Sequence, residues 1–316
     1  MSHFDRFVGI DISKNRLDIY CHPDGLAFCV ANTSDGIGRL LAKAGGGGVA
    51  FGCEATGGYE DLLLVTLSQA GTPGYCLHPA DIRAFARLKG KRAKTDALDA
   101  KAIAEALVAA VTARKPVVRT KDQSIIKELT ALRRTLIISL SELKSLKARM
   151  SAAVAAKTIA TLIATNLRAI KTIEAAILQA IKDNPDARHK ALQILSAPGA
   201  GPVLAAELIG AMPELGTLTS RQAASLVGVA PHPRQSGERK RSGKCQGGRP
   251  KIRRVLYMAA LSVIKAKRQP LCAFYEKLRA NGKPFKVAIV AIMRKLIVTL
   301  NAMIKTDMSW REIHST

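Results

Sequence analysis

Short runs of apolar and β-branched residues alternate with helical patterns through the first eighty residues of the chain. Residues 7–12 and 17–21 are two such runs, and the polar residues Ser13, Lys14 and Asn15 between them predict a β-hairpin. Further strands are predicted at residues 26–31, 48–53 and 74–77, and helices at residues 37–43 and 59–70. Strands that alternate with helices indicate a mixed α/β layer domain.

Helical periodicity dominates the chain after this region. A basic stretch over residues 83–94 precedes a clean helical pattern at residues 97–110, and the first domain is predicted to span residues 1–116. Apolar residues then recur every three or four positions, which predicts long helices and a coiled-coil segment over residues 117–184. Such a stripe needs a partner helix. Dimerisation of two chains is favoured, and an antiparallel helical hairpin within one chain fits the pattern equally well.

A third, mostly α-helical segment is predicted over residues 185–316. It contains the motif A-P-G-A-G-P-V-L, which has the shape of a helix-hairpin-helix turn. In such a turn Gly199 and Gly201 would let backbone N–H groups approach a DNA phosphate, because glycine has no side chain to obstruct the approach. A glycine-rich link between two core helices accounts for the same motif equally well.

The charge of the chain indicates the class of its partner. The 49 Lys and Arg residues outnumber the 24 Asp and Glu residues, and a formal net charge of +25 favours a polyanion, with nucleic acid first. An anionic membrane is the rival, but the longest apolar run, at residues 287–293, is too short to span one. No signal-peptide pattern precedes the first strand, so we expect a cytoplasmic protein without a membrane segment.

The six cysteines and six histidines show no spacing that is typical of metal ligands. No C-x-x-C pair occurs, and the cysteines lack the regular spacing of a disulfide framework. We therefore expect reduced thiols that are mostly buried, and no zinc site.

Four acidic residues lie where predicted elements begin or end. Asp11 and Glu54 end the first and fourth strands, and Asp96 and Asp99 start the helix after the basic stretch. Strand ends open onto the crevice of an α/β sheet, and residues three apart share a helical face, so the four carboxylates are predicted to converge. Such a cluster repels itself unless divalent cations neutralise it, and hard oxygen ligands suit Mg²⁺. Taken singly, Asp96 also fits a helix cap and Asp99 an ion pair, while Asp18 is interpreted as an ordinary solvated residue.

A glycine-rich and strongly basic segment follows at residues 232–254 and is predicted to be an exposed loop. Pro250 fits the first turn of the next helix, so the loop is expected to hold DNA phosphates at a helix N-terminus. Ser236 is the candidate nucleophile, although a serine that only donates a hydrogen bond to phosphate explains the local sequence better. The candidate nucleic-acid-binding residues here are Arg234, Arg239, Lys240, Arg241, Lys244, Gly247, Gly248 and Arg249.

These motifs together resemble the IS110 family of insertion-sequence transposases, in particular its IS1111-like branch. The resemblance extends over nearly the whole chain, and the order and spacing of the pieces are specific, whereas each piece alone is weak. The matching pieces are G-I-D-I-S-K from Gly9, E-A-T-G-G-Y from Glu54, K-T-D-A-L-D-A from Lys94, P-G-A-G-P from Pro198, and R-Q-S-G from Arg234 with G-G-R from Gly247.

The resemblance implies a RuvC-like, ribonuclease-H-type N-terminal domain in which Asp11, Glu54, Asp96 and Asp99 form a D-E-D-D tetrad that binds Mg²⁺. It also implies a C-terminal transposase domain in which Ser236 forms a covalent phosphoserine link to DNA. The partners that it implies are donor and target DNA, a structured noncoding guide RNA that reads sequence by base pairing, and further copies of the chain. In the family, dimers assemble into tetramers on DNA, and the serine of one subunit completes the site of another.

Three other functions stay open beside a Mg²⁺-dependent DNA recombinase acting at the bacterial nucleoid. A Holliday-junction-type nuclease would use the carboxylates and water without Ser236. A non-enzymatic nucleic-acid-binding protein would use the acids only for structure. A sugar-kinase-like ATPase fits less well, because no phosphate-binding glycine loop recurs in a second lobe.

Overall fold

The computed structural model describes the backbone of residues 4–89, 96–236 and 239–315. The chain divides into two compact units, Met1–Ser124 and Ile125–Thr316, and each has its own buried core. The predicted boundaries near residues 116 and 184 stay predictions. For residues 96–98, 232–236, 239–242, 244 and 315 the structure describes the backbone but not the side chains.

Five strands form a mixed sheet at the centre of the first unit. They are β1 (Arg6–Ile12), β2 (Arg16–His22), β3 (Ala27–Ala31), β4 (Val49–Glu54) and β5 (Gly74–Leu77). Their order across the sheet is β3-β2-β1-β4-β5. β2 pairs antiparallel with β1 and β3, whereas β4 runs parallel to β1 and β5. The five strands predicted from the sequence are confirmed, with bounds that agree within one residue.

Helices cover both faces of this sheet. They are α1 (Ser34–Ala44), α2 (Asp61–Gln69), α3 (Pro79–Leu88) and α4 (Asp96–Ala110). Ile37 of α1 and Leu63 of α2 belong to the buried cluster of Val8, on one face. Ile103 of α4 belongs to the buried cluster of Ala50, on the other face. The first unit is thus the mixed α/β layer domain that the sequence predicts.

Gly9, near the middle of β1, lets α4 approach the sheet very closely. An added Cβ atom at Gly9 would lie 2.2 Å from the carbonyl oxygen of Ala100 and 2.3 Å from the backbone nitrogen of Ala104. Only glycine leaves room for a helix backbone at this distance. Gly52, the partner of Gly9 on β4, has a similar role, since its added Cβ atom would lie 3.0 Å from Leu107 of α4.

Gly9→Ala is expected to lower the free energy of unfolding of the first unit by about 2 to 3 kcal/mol, because the new methyl group forces α4 away from the sheet. Gly38→Ala in α1 is the matched control, since nothing lies within 4 Å of an added Cβ atom there. That change is expected to raise stability by about 0.5 to 1 kcal/mol. Urea unfolding followed by circular dichroism measures both variants, and equal midpoints would contradict the close-approach argument.

The second unit is built mainly from helices around one core. The completely buried residues Ile289, Ile292, Leu296 and Leu300 all lie on one long central helix, α12 (Phe285–Thr306). The other elements are α5 (Lys121–Lys147), α6 (Ala153–Asp183), α7 (Pro185–Ser196), α8 (Pro202–Ala211), α9 (Ser220–Val227), β6 (Pro231–Ser236), β7 (Arg239–Cys245), α10 (Pro250–Lys265), α11 (Leu271–Ala280) and α13 (Trp310–Ser315).

The long helices predicted from the apolar stripe are confirmed as α5 and α6. Arg133 of α5 forms an ion pair of 2.6 Å with Glu174 of α6. Ile126 near the start of α5 shares a buried cluster with Ile181 near the end of α6. The two helices therefore run antiparallel within one chain, which is one of the two arrangements that the sequence left open. Dimerisation through this segment stays a prediction.

Within the part of the chain that the structure describes, two helices, α6 and α12, are long and apolar enough to cross a membrane by length and composition alone. The expectation of no such segment was based on the short uninterrupted run at residues 287–293, which is only a part of α12. Half of the most apolar stretch of α12 is buried inside the protein. The core helix of a soluble protein can have the same length and apolar composition as a membrane-spanning helix. These two helices are therefore weak evidence for a membrane segment.

The basic segment after residue 231 differs from the predicted loop. Residues 231–236 and 239–245 pair as an antiparallel hairpin, β6–β7, and only residues 246–249 connect it to α10. The prediction of a loop was wrong because it relied on apolar residues to mark strands, whereas the backbone pairing of a hairpin does not require them. The predicted start of the next helix at Pro250 is confirmed.

All six cysteines are free thiols, but only three of them are buried, namely Cys21, Cys53 and Cys272. Cys29 and Cys245 are exposed, so the expectation of mostly buried thiols is wrong for these two. Cys29 lies on the edge strand β3, and Cys245 ends the hairpin strand β7, so each lies at the margin of its sheet.

Candidate functional site

Asp11 and Glu54 lie side by side at the C-terminal ends of the parallel strands β1 and β4. This edge of the sheet is called the carboxylate edge below. Gly9 of β1 is paired with Gly52 of β4 in parallel register, and both glycines face α4. Because side chains alternate between the faces of a strand, the residues two positions further on, Asp11 and Glu54, face the same side. Neighbouring strands are about 4.8 Å apart, so Asp11 and Glu54 occupy adjacent positions on one face of the sheet.

Helix α4 begins near this pair of carboxylates. Its last residue, Ala110, packs against the same cluster as Phe7, which lies near the start of β1. The first turn of α4 therefore points towards the other end of β1, where Asp11 lies. Asp99 is half-buried and lies on the turn before Ile103, which faces the sheet. The backbone of Asp96 starts α4, but its side chain lies outside the described residues.

The donor set at this edge suits a hard divalent cation, since it consists of carboxylate oxygens. Among the side chains that the structure describes, no group of three or more His, Cys, Asp or Glu residues is arranged to hold a metal ion. That search did not include the side chain of Asp96, so the predicted tetrad stays a prediction as a set of four.

Cys53 immediately precedes Glu54 and lies on the opposite face of β4. Cys53 is paired in register with Cys76 on β5, and both are free thiols. A hydrogen bond to Cys76, followed by burial and the nearby carboxylates of Glu60 and Asp61, raises the pKa of Cys53 well above its usual range. The thiol therefore stays protonated and does not add a thiolate to the carboxylate edge.

The loop after Glu54 is held by a single buried carboxylate, that of Glu60. Its Oε2 atom accepts hydrogen bonds from the Thr56 hydroxyl at 2.7 Å, the Gly58 N–H at 2.8 Å and the Thr56 N–H at 3.3 Å. Gly57 and Gly58 adopt φ values of +92° and +152°, which favour glycine. Glu60 thus fixes the small-residue loop beside Glu54, and the sequence analysis missed this role.

Asn32 connects the two loops that border the carboxylate edge. Its side-chain nitrogen donates to the carbonyl of Ser13 at 3.1 Å and to the carbonyl of Tyr59 at 3.3 Å. Ser13 follows β1, which carries Asp11, and Tyr59 belongs to the loop after Glu54. The spacing between these two loops is therefore set by one amide side chain.

A third carboxylate, Asp18, lies directly opposite Asp11 on β2. Residues that face each other in an antiparallel pair share one side of the sheet, so Asp18 extends the row of Asp11 and Glu54. Arg16 holds Asp18 with its Nε at 2.9 Å and its Nη2 at 2.5 Å from Oδ1. Interpreting Asp18 as a solvated residue was wrong, because its side chain is only 17% exposed. Counting back from the ends of the two predicted strands, residues 12 and 17, would have paired it with Asp11.

Ser236 ends strand β6 and is paired with Arg239, the first residue of β7. The predicted nucleophile therefore lies in the last residue pair that the structure describes between β6 and β7. Its side chain lies outside the described residues, as do the side chains of the candidate DNA-binding residues Arg234, Arg239, Lys240, Arg241 and Lys244. The roles of these residues stay predictions.

The connection from the hairpin to α10 is held by contacts within the second unit. Arg249 donates to both carboxylate oxygens of Glu214, at 2.6 and 2.9 Å, and to the carbonyl of Ala211 at 2.7 Å. Gly248 has a φ of +69°, and an added Cβ atom would lie 2.3 Å from the nitrogen of Gly228. These contacts explain Arg249 and Gly248 by packing, and a role in DNA binding stays a prediction.

The remaining predicted glycines differ in their surroundings. Gly199 has a φ of +77°, and an added Cβ atom would lie 2.6 Å from the carbonyl oxygen of Ala259, so it packs against α10 as a link between core helices would. Gly201 caps the start of α8, and Gly247 has a φ of +71°. Both have open space around an added Cβ atom. A role of Gly199, Gly201 and Gly247 in phosphate binding stays a prediction.

Two family models match this chain, and both describe transposases. A model of the DEDD transposases of the IS110 type matches residues 8–156, and the model of the Transposase IS116/IS110/IS902 family matches residues 191–276. The first match includes Asp11, Glu54 and the start of α4, and the second includes the hairpin with Ser236. Together they cover more than two thirds of the chain.

Two relatives align along almost their whole length. The pilin gene-inverting proteins of Moraxella bovis and Moraxella lacunata are each 27% identical over 318 residues, covering 95% of this chain and 96% of the relative. An α/β unit with a carboxylate edge and a helical unit with a basic hairpin thus belong to an enzyme of DNA recombination. The chain belongs to the IS110 family of transposases.

Glu60→Gln is expected to loosen the loop after Glu54, because an amide cannot accept all three hydrogen bonds that the carboxylate accepts. Hydrogen exchange of a peptide that spans residues 55–60 is expected to accelerate by about tenfold or more, as expected from losing roughly 1.4 kcal/mol of local stability. Glu105→Gln, which alters the ion pair with Lys89, is the control and leaves this peptide unchanged. Unchanged exchange in Glu60→Gln would show that the carboxylate does not hold the loop.

Proposed function

We propose that this transposase cleaves and exchanges DNA strands in a Mg²⁺-dependent reaction, with a RuvC-like first unit that supplies the carboxylates Asp11, Glu54, Asp96 and Asp99. The observation that carries the proposal is the side-by-side placement of Asp11 and Glu54 on the face that α4 covers. The first turn of α4, with Asp96 and Asp99, lies towards the same edge, which supports a four-carboxylate site.

The proposed cofactor follows from the charge of this edge. Carboxylates on neighbouring strands repel each other, and a divalent cation with oxygen ligands removes that repulsion. Two Mg²⁺ ions at such a site would activate an oxygen nucleophile and stabilise charge on the scissile phosphate. The contribution of the chain is to hold the carboxylates at a fixed spacing, which the contacts of Glu60 and Asn32 achieve.

The proposed nucleophile is the hydroxyl of Ser236. Its oxygen attacks the scissile phosphorus and loses its proton, while the bond from phosphorus to a deoxyribose oxygen breaks and that oxygen leaves as a hydroxyl. A phosphoserine link conserves the bond energy, so a second DNA hydroxyl can later attack the phosphorus and release the serine. The place of Ser236 at the end of the paired strand β6 supports this role, because the end of a two-stranded antiparallel pair can reach into a site formed with another subunit.

The proposed partners are donor and target DNA, a structured guide RNA, and further copies of the chain in a dimer or tetramer at the bacterial nucleoid. The net charge of +25 supports binding of more than one nucleic acid strand. Aromatic residues make up only 4% of the chain, which provides few platforms for reading unpaired bases. Base pairing by an RNA would supply the sequence specificity instead.

Ser236→Ala is expected to abolish the covalent protein–DNA adduct, and Asp11→Asn is expected to reduce cleavage by about 100-fold or more. Cells that carry the gene with its flanking DNA provide the substrate, and detergent-resistant adducts and recombined junctions are measured. Ser242→Ala is the matched control within the same hairpin and is expected to retain both products.

Two results would contradict this mechanism. Cleavage without an adduct in both wild type and Ser236→Ala indicates a nuclease that uses only carboxylates and water. Full strand exchange in Asp11→Asn shows that the carboxylates are structural.

The wild-type protein, purified from the same cells, is expected to carry a structured RNA encoded beside its gene. Sequencing of the bound RNA measures its enrichment over total cellular RNA, and a highly basic, unrelated protein purified in parallel controls for non-specific binding. Asp11→Asn is expected to retain the RNA, because base pairing and backbone contacts do not need the carboxylates. Recovery of only the RNAs that the control protein binds would contradict guidance by RNA.

A further inference from the structure

Arg16 lies at the same edge and on the same face of the sheet as the proposed carboxylate site. Asp18 faces Asp11 across β1 and β2, and Arg16 is two residues closer to the hairpin turn, so it faces the same side. At about 3.3 Å per residue, Arg16 lies roughly 7 Å beyond the row of carboxylates along the strand. Its position is therefore at the rim of the proposed site, outside the acidic row itself.

The guanidinium of Arg16 is oriented and also accessible. Nε and Nη2 both bind Oδ1 of Asp18, whereas 60% of the side chain is exposed. An ion pair with so exposed an arginine contributes little to the free energy of unfolding. Stability therefore does not explain why an arginine lies at position 16. A guanidinium has five N–H donors in a planar fork, which matches the oxygens of a phosphodiester.

The charges around Arg16 also favour a phosphate. Asp18, Asp11 and Glu54 form an acidic row on three neighbouring strands, and a DNA strand that approaches this row carries further negative charge. A cation at the rim offsets this repulsion at the place where the strand enters. The hairpin turn supports the same geometry, since Ser13 accepts the N–H of Arg16 with its hydroxyl and fixes the start of β2.

We propose that Arg16, oriented by Asp18, contacts a phosphodiester of the DNA strand that the carboxylate site holds. Asp18 is in this view a positioning residue, and Arg16 is a substrate-binding residue. The inference rests on the proposed function, because it takes the edge at Asp11 and Glu54 as the place where the DNA strand lies. The rival explanation is that Arg16 only neutralises Asp18.

Arg16→Gln is expected to weaken DNA binding by roughly tenfold, as loss of one charge-assisted hydrogen bond would. It is also expected to lower the slope of log affinity against log salt concentration by about one phosphate contact. The probe is a fluorescein-labelled four-way DNA junction in Ca²⁺, followed by fluorescence anisotropy. Arg16→Lys is expected to keep most of the salt slope, and Asp18→Asn is expected to give a smaller loss of affinity, because the cation stays but loses its orientation.

Arg114→Gln and Asp81→Asn are the matched controls. Arg114 and Asp81 form an Arg–Asp pair of 2.6 Å in the same unit, with a side-chain exposure of 42% for Arg114. Arg114 follows the end of α4, whereas the proposed site lies at its start. Both controls are expected to bind DNA with the affinity and salt slope of wild type. This result, together with a lower affinity and salt slope in Arg16→Gln, supports the proposal.

The double variant Arg16→Gln with Asp18→Asn separates the two explanations. If Arg16 only neutralises Asp18, removal of both charges restores wild-type affinity and salt slope, which would overturn the proposal. If Arg16 contacts phosphate, the double variant binds more weakly than wild type and keeps the reduced salt slope of Arg16→Gln. An Arg16→Gln variant that binds with the affinity and salt slope of Arg114→Gln also overturns it.

Asp11→Asn, measured in parallel, distinguishes failure of this inference from failure of the proposed function. A Ca²⁺-dependent gain in affinity that Asp11→Asn abolishes supports the metal site. Absence of that gain in wild type refutes the metal site alone, and the salt slopes of Arg16→Gln and Arg114→Gln still decide whether Arg16 contacts phosphate.

Discussion

The close packing of α4 on two glycines of the sheet is the constraint on which the proposed site depends. Gly9 and Gly52 are paired on neighbouring strands, and the helix backbone occupies the space that a side chain at Gly9 would fill. The strands continue past the helix contact, and the next residues on the same face are Asp11 and Glu54. A bulkier residue in place of either glycine would lift the helix and move its acidic first turn away from these carboxylates.

Positioning of the carboxylates is divided among residues that do not belong to the proposed metal site. Glu60 fixes the loop after β4 with three hydrogen bonds, and Asn32 connects that loop to the turn after β1. Glu60 is itself acidic and buried, at 5% exposure, close to Glu54 in the chain. Its charge is compensated by N–H and O–H donors, so it supports the acidic edge without adding to the negative charge exposed there.

The sequence predicted the strands, and with them the places of Asp11 and Glu54 at strand ends, because short apolar runs mark the strands of an α/β sheet. The role of these two carboxylates stays a prediction. It failed for Asp18, which was interpreted from the alternation within its own strand and without the pairing across the hairpin, and it did not single out Arg16. Glu60 was missed because its partners are backbone N–H groups, which have no sequence signature. The basic hairpin was missed for a related reason, since its strands lack the apolar alternation that marks a half-buried strand.

The division of the proposed chemistry between two compact units has a physical consequence. The carboxylates belong to the first unit, whereas Ser236 belongs to a hairpin of the second, and each unit has its own core. The two halves of the proposed active site are therefore held by different cores. A serine without an adjacent base or metal is a weak nucleophile, so cleavage by Ser236 requires that the two units, from one chain or from two, meet on the DNA. In the proposed mechanism, cleavage is therefore coupled to the meeting of the two units, because a lone unit lacks either the nucleophile or the carboxylates.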